Sequence, residues 1–143
     1  MLFDQQNPIN QLCAQGMLLE GEAKPEEAAK LFMQAWNEAT NTAERFIAAH
    51  YVARHQDSVA DKLKWDETAL SLALELDNPE VNGALPSLYL NIAKCYEDLK
   101  DFDKARANYQ SALESTKFLL DDGYGNMIRS GIKNGLDRVQ SSN

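Results

Sequence analysis

The stretch Tyr89-Leu90-Asn91-Ile92-Ala93-Lys94-Cys95-Tyr96, followed by Phe102, Ala105, Tyr109 and Ala112, decides the fold of this chain. Its large apolar residues recur at helical spacing, and Ala93, Ala105 and Ala112 put small side chains where two helices must approach closely. The alanine-aromatic-alanine trio, at offsets of four and three, occurs a second time as Ala28, Phe32 and Ala35. Twelve residues before each leading alanine stands another small residue, Gly16 or Ala93, and three positions after it comes Leu19 or Tyr96. Such a recurrence is the mark of a helical repeat, in which paired helices stack to build a continuous core.

Working outward, no window alternates with the period of two that a half-buried strand requires, so the fold class is all-α. A first helix is predicted over about Pro8 to Glu20. A second starts near Pro25, whose missing amide hydrogen would have no partner there anyway, and Glu26 and Glu27 suit the positive end of the helix dipole. Asn41 with Glu44 three residues on reads as a capping box for a third helix running to about Gln56. Ser58 to Asp61 opens a fourth helix through Trp65, Ala69, Leu72, Ala73 and Leu76. The segment from Asp77 to Gly83 is the most turn-like in the chain, and the fifth helix begins at Pro86, or earlier with a kink there, and extends to Leu99. With Asp101 as cap, a sixth helix covers Phe102 to Leu119. A final helix, at about 126–140, carries Ile128, Ile132, Leu136 and Val139 on one stripe.

These residues resemble the tetratricopeptide repeat, a unit of ~34 residues built from two antiparallel helices. The resemblance is fullest at Tyr89, Ile92, Ala93, Tyr96, Phe102, Ala105, Tyr109 and Ala112, and recurs with Leu12, Gly16, Leu19, Ala28, Phe32 and Ala35, where Gln15 departs from the family's large apolar residue. It implies an α-α superhelix of three hairpins, about 8–39, 41–77 and 86–119, closed by a C-terminal capping helix within one domain over 1–143. The 77 residues from Ala28 to Ala105 exceed two repeats by about nine, which predicts a third and a fourth helix each longer by about a turn. The same resemblance implies a concave groove lined by the first helix of each pair. Its groove-facing positions fall on Asn10, Cys13, Ala14, Met17 and Glu20 in the first unit and on Ser87, Leu90, Asn91, Lys94, Glu97 and Asp98 in the third.

Composition limits what such a surface binds. The 143 residues carry a net charge of -8, which opposes the field that draws a phosphate backbone, so nucleic acid is not an expected partner. No stretch approaches the ~18 apolar residues that span a bilayer, and Met1 to Gln6 has no basic start or apolar run, so a cytoplasmic protein without membrane contact is expected. Cys13 and Cys95 form no Cys-x-x-Cys pair and are expected as buried reduced thiols. Trp36 and Trp65 suit packing between hairpins, with an aromatic ligand platform as the other use.

Catalysis finds little support. His50 and His55 are five residues apart, about 140° around a helix, and cannot chelate one metal as an i, i+4 pair would. Asp121 to Asn126 lacks EF-hand spacing, and no glycine-rich phosphate or dinucleotide loop is present. No enzyme activity, cofactor or metal is expected.

Recognition is better served. His50 and Arg54 share a helical face, as do Asn91 and Lys94. If the third helix turns that face inward, these four residues make a cationic groove site inside an acidic protein, suited to a protein or peptide segment with an acidic or carboxylate-bearing group. Alternatively, His50 is a half-buried histidine and Arg54 pairs with an acidic residue of a neighbouring helix. A second functional reading, a small-molecule or anion sensor, follows if the longer central hairpin narrows the groove into a pocket.

Overall fold

The computed structural model describes residues 2–140, and the chain falls into two compact units, residues 1–76 and 77–143. The first unit holds two antiparallel hairpins: α1 (Pro8–Gly21) with α2 (Pro25–Glu38), and α3 (Thr42–Val52) with α4 (Val59–Leu76). Asn7 caps α1 by accepting from the backbone N–H groups of Ile9 and Asn10, which would otherwise be orphan donors. Asn41 does the same for α3 at Glu44 N. The Glu44 carboxylate turns back to accept from Thr40 N at 2.9 Å and from Asn7 Nδ2 at 2.8 Å, so one side chain ties the starts of α1 and α3 together. The Thr40 backbone bond, followed by the Asn7 bond, holds Glu44 below its ordinary pKa.

Close approach within the first hairpin depends on Gly16, because a Cβ there would overlap the Phe32 ring. Ala28, Phe32 and Ala35 are fully buried, as their spacing requires. In the second hairpin Ala48 and Ala49 of α3 and Ala69 and Ala73 of α4 are all fully buried. Trp36 and Trp65, both half-buried, meet edge to face with centroids 5.0 Å apart and join α2 to α4.

The second unit begins with a one-turn helix, α5 (Pro79–Asn82), capped by Asn78, and continues with the hairpin of α6 (Leu85–Asp98) and α7 (Phe102–Glu114). The last helix, α8 (Gly123–Gln140), packs on both members of that hairpin. Its stripe of Ile128, Ile132, Leu136 and Val139 joins Ala93, Ala105, Tyr109 and Ala112 in the core. The α1–α2 and α6–α7 turns use the same device. Ala23 (φ 61°) and Lys100 (φ 67°), each seven residues after the small residue, take the left-handed conformation that stops a helix.

The predicted all-α architecture is therefore present, with eight α-helices among the described residues, but three expectations need correction. The third helix is not lengthened. It ends at Val52 and tightens into a 3₁₀ turn, Ala53–His55, with Gln56 Nε2 donating to the Val52 carbonyl at 3.0 Å. The surplus between the repeats lies instead in α4, 18 residues against 14 for α2, and in α5. Likewise α7 stops at Glu114 and continues as a 3₁₀ turn, Ser115–Phe118, and α8 starts at Gly123, earlier than the pattern of apolar residues indicated, where Asp122 Oδ1 accepts from Gly125 N.

Candidate functional site

In the first unit Asn10, Gln11, Cys13, Ala14 and Met17 of α1 line a cavity of about 230 Å³ together with Tyr51 of α3 and with Phe3 and Gln5 of the segment preceding α1. Of these, Asn10, Cys13, Ala14 and Met17 are among the groove-facing positions expected from the repeat register, whereas Gln11 is not. Among the described residues no charged side chain lines the cavity. Cys13 is buried beneath it, and burial pushes its thiol up to about 11, which makes it a weakly reactive apolar wall rather than a nucleophile.

Tyr51 is central to this face. Its ring stacks on Phe32 with centroids 5.1 Å apart, and the Arg54 guanidinium lies over it at 5.1 Å from its centroid. His50 is half-buried between aromatic rings, 6.5 Å from Phe46 and 5.3 Å from Tyr51. Burial first, then the charges of Arg54 and Lys62, lowers the His50 pKa and favours a neutral imidazole. Arg54 reaches back to α1, with Nη1 3.3 Å from Glu20 Oε1. This matches the half-buried histidine and the interhelical acidic partner weighed for these two residues.

His55, which the sequence reading set aside, completes that arrangement. Its ring stacks on Phe32 at 5.6 Å, and its Nε2 lies 2.7 Å from Glu20 Oε2. The 3₁₀ turn after α3 is what brings Arg54 and His55 together onto one carboxylate. A sequence clue was available in the register: Glu20 stands four residues after Gly16, as Glu97 stands four after Ala93.

In the second unit Asn91 and Lys94 share one side of α6. Asn91 is half-buried, and Lys94 is exposed with its Nζ 2.6 Å from Asp98 Oδ1, a solvated i, i+4 pair. Two of the other positions expected to face the groove are taken by α8 instead. Leu90 packs against Gly131, and Glu97 accepts from Arg138 Nε at 2.8 Å and from the Tyr109 hydroxyl at 2.7 Å. The Arg138 hydrogen bond is the largest influence lowering the Glu97 pKa, while burial and the Glu97 carboxylate raise that of Tyr109. Gly135 allows this contact, because a Cβ there would overlap the Tyr109 ring.

Among the described residues no group of three or more His, Cys, Asp or Glu side chains is arranged to hold a metal ion, and no helix is long and apolar enough to cross a membrane. Residues 86–117, most of α6 and α7 and the turn after them, match the family model described as tetratricopeptide repeat. No curated protein and no solved structure matches the chain.

Proposed function

We propose that this chain, a helical repeat protein with a tetratricopeptide repeat at residues 86–117, is a non-enzymatic cytoplasmic module that binds a protein or peptide segment through its first-helix faces. Tetratricopeptide repeats generally mediate protein–protein interaction. The observation that carries the proposal here is the cavity on α1: residues that the repeat register assigns to the groove line one uncharged hollow with Tyr51.

The mechanism is preorganisation. Capped helices, fixed through Gly16 and Phe32 and through Gly135 and Tyr109, hold their side chains in place before binding, so the ordering cost falls on the ligand. His50 and Arg54 on the first unit, and Asn91 and Lys94 on the second, are the polar residues proposed to contact such a segment, each unit taken by itself, with Arg54 and Lys94 as the charges for an acidic or carboxylate-bearing group. The alternative, a sensor of a small molecule or anion, is less well supported. The cavity is smaller than the ~300–1,000 Å³ of small-molecule sites and has an apolar character that suits a side chain.

The test is capture of partners from native lysate by the wild type and by a His50→Ala, Arg54→Ala, Lys94→Ala triple variant. The variant is expected to lose partners that the wild type retains. Identical partner sets from two equally folded proteins would overturn the proposal.

A further inference from the structure

Residues 2–6 fold back in two successive turns and are held by α1 through its side chains, not only through backbone continuity. The Asn10 carboxamide Nδ2 donates to the Leu2 carbonyl at 3.0 Å and to the Asp4 carbonyl at 2.9 Å, and Gln11 Nε2 donates to the Gln5 carbonyl at 3.1 Å. Leu2 is buried, whereas Phe3 remains 61% exposed while contributing a wall of the cavity. A groove-facing side chain of the first helix thus grips peptide carbonyls two residues apart while an apolar side chain, Phe3, lies along the same face. That is the pattern of contacts a bound peptide would make.

We infer that residues 2–6 are a resident, intramolecular ligand of the α1 face, and that the partner this face takes is a short peptide segment that replaces them. The required chemistry can be read from the resident segment: backbone carbonyls two residues apart for the Asn10 carboxamide, and an adjoining uncharged apolar side chain for the hollow between Met17 and Tyr51. This rests on the groove reading above and names the partner class for the first unit. A tethered segment competes at an effective concentration on the order of millimolar, so an incoming peptide meets a site that is free only part of the time. Its apparent affinity falls by that free fraction.

The probe is a synthetic peptide of residues 2–6, acetylated and amidated. Two proteins are compared by NMR, the intact chain and a chain lacking residues 2–5, which keeps the Asn7 cap and Asn10. The expected result is saturable shifts at Cys13, Ala14, Met17 and Tyr51 in the shortened chain, with apparent affinity at least about tenfold above that of the intact chain. A peptide with serine at both apolar positions should give none. If shortening unfolds the protein, a full-length Leu2→Asp, Phe3→Asp variant replaces it and is judged by the same two comparisons. A folded protein whose α1 face ignores millimolar peptide, or responds no more than the intact chain, shows residues 2–6 to be a structural cover and overturns the inference. Capture that still depends on His50, Arg54 and Lys94 would then leave the groove reading standing, so the two failures are distinguishable.

Discussion

The two units solve one packing problem with different residues. In each, a glutamate four positions after the small residue of the first helix, Glu20 or Glu97, binds an arginine from the segment that follows the hairpin. Each also has a fully buried aromatic sixteen positions after that small residue, Phe32 or Tyr109, against which the following helix packs. On α6 and α7, α8 therefore plays the part that α3 plays on α1 and α2. Tyr51 and Gly135 meet the aromatic, and Arg54 and Arg138, each three residues later, reach the carboxylate. The difference lies in what completes the clamp. Tyr109 supplies its own hydroxyl, whereas Phe32 has none and a stacked histidine, His55, takes that side of Glu20. A terminal helix can thus close a repeat by copying the contacts of an internal one, covering Leu90 and Glu97 as it does so.

The sharpest way to break this comparison is at the glycines. The Tyr109 ring is anchored at its hydroxyl by Glu97 and Arg138 and cannot swing aside, so Gly135→Ala is expected to destabilise by about 1–3 kcal/mol through overpacking. The Phe32 ring is held by stacking on Tyr51 and His55 but has no hydroxyl anchor, so Gly16→Ala is expected to destabilise by less, about 1 kcal/mol, once the gain in helix propensity is set against the overlap. Urea unfolding of both variants decides the matter. A larger loss at Gly16 would show that the two aromatics are not held differently.

A smaller effect is expected at the carboxylates. Glu97→Gln should cost about 1 kcal/mol, because the Glu97 side chain is only 15% exposed and bonds both Arg138 and Tyr109, although Arg138 itself is half solvated. Since the folded state lowers the Glu97 pKa, its contribution is present above the ordinary glutamate range and is lost as pH falls through the folded value. Acid unfolding of the variant should therefore be flatter in that range than that of the wild type.

The smallest expected effect concerns His50. Its folded pKa lies below the ordinary 6.5, so the unfolded chain holds the proton more tightly. The resulting stability is complete above 6.5 and declines as pH falls through the folded value. His50→Gln should flatten that decline, as read from melting temperature across a pH series. An unchanged slope would show that the buried ring does not control it.

Much of the fold was legible because close helix packing demands particular side chains. Gly16, Ala28, Ala93 and Ala105 could be placed from spacing, and the cap at Asn41 from its capping-box register, whereas the Asn7 cap emerged only in the structure. The site was legible in part. Repeat register pointed to Asn10, Cys13, Ala14 and Met17, which share a cavity, but neither Phe3 nor Tyr51 could be joined to them by counting, since they come from outside that helix. His55 was missed because its role depends on the α-helix tightening into a 3₁₀ turn after Val52, a change of a fraction of a turn that apolar periodicity does not register.

By itself, then, the sequence determined that this chain is all-helical and where its first and last hairpins cross, while the face of α1 that carries the hollow followed from the resemblance to the repeat. The first two follow from local periodicity and from the size of single side chains. Only the tertiary structure decided which partners the polar groups take. Glu20 chooses Arg54 and His55, Glu97 chooses Arg138, and Asn10 grips the chain's own Leu2 and Asp4 carbonyls. The physical reason is one of distance along the chain: such bonds join groups that only packing brings within reach, and several partners of similar chemistry compete for each of them until it does.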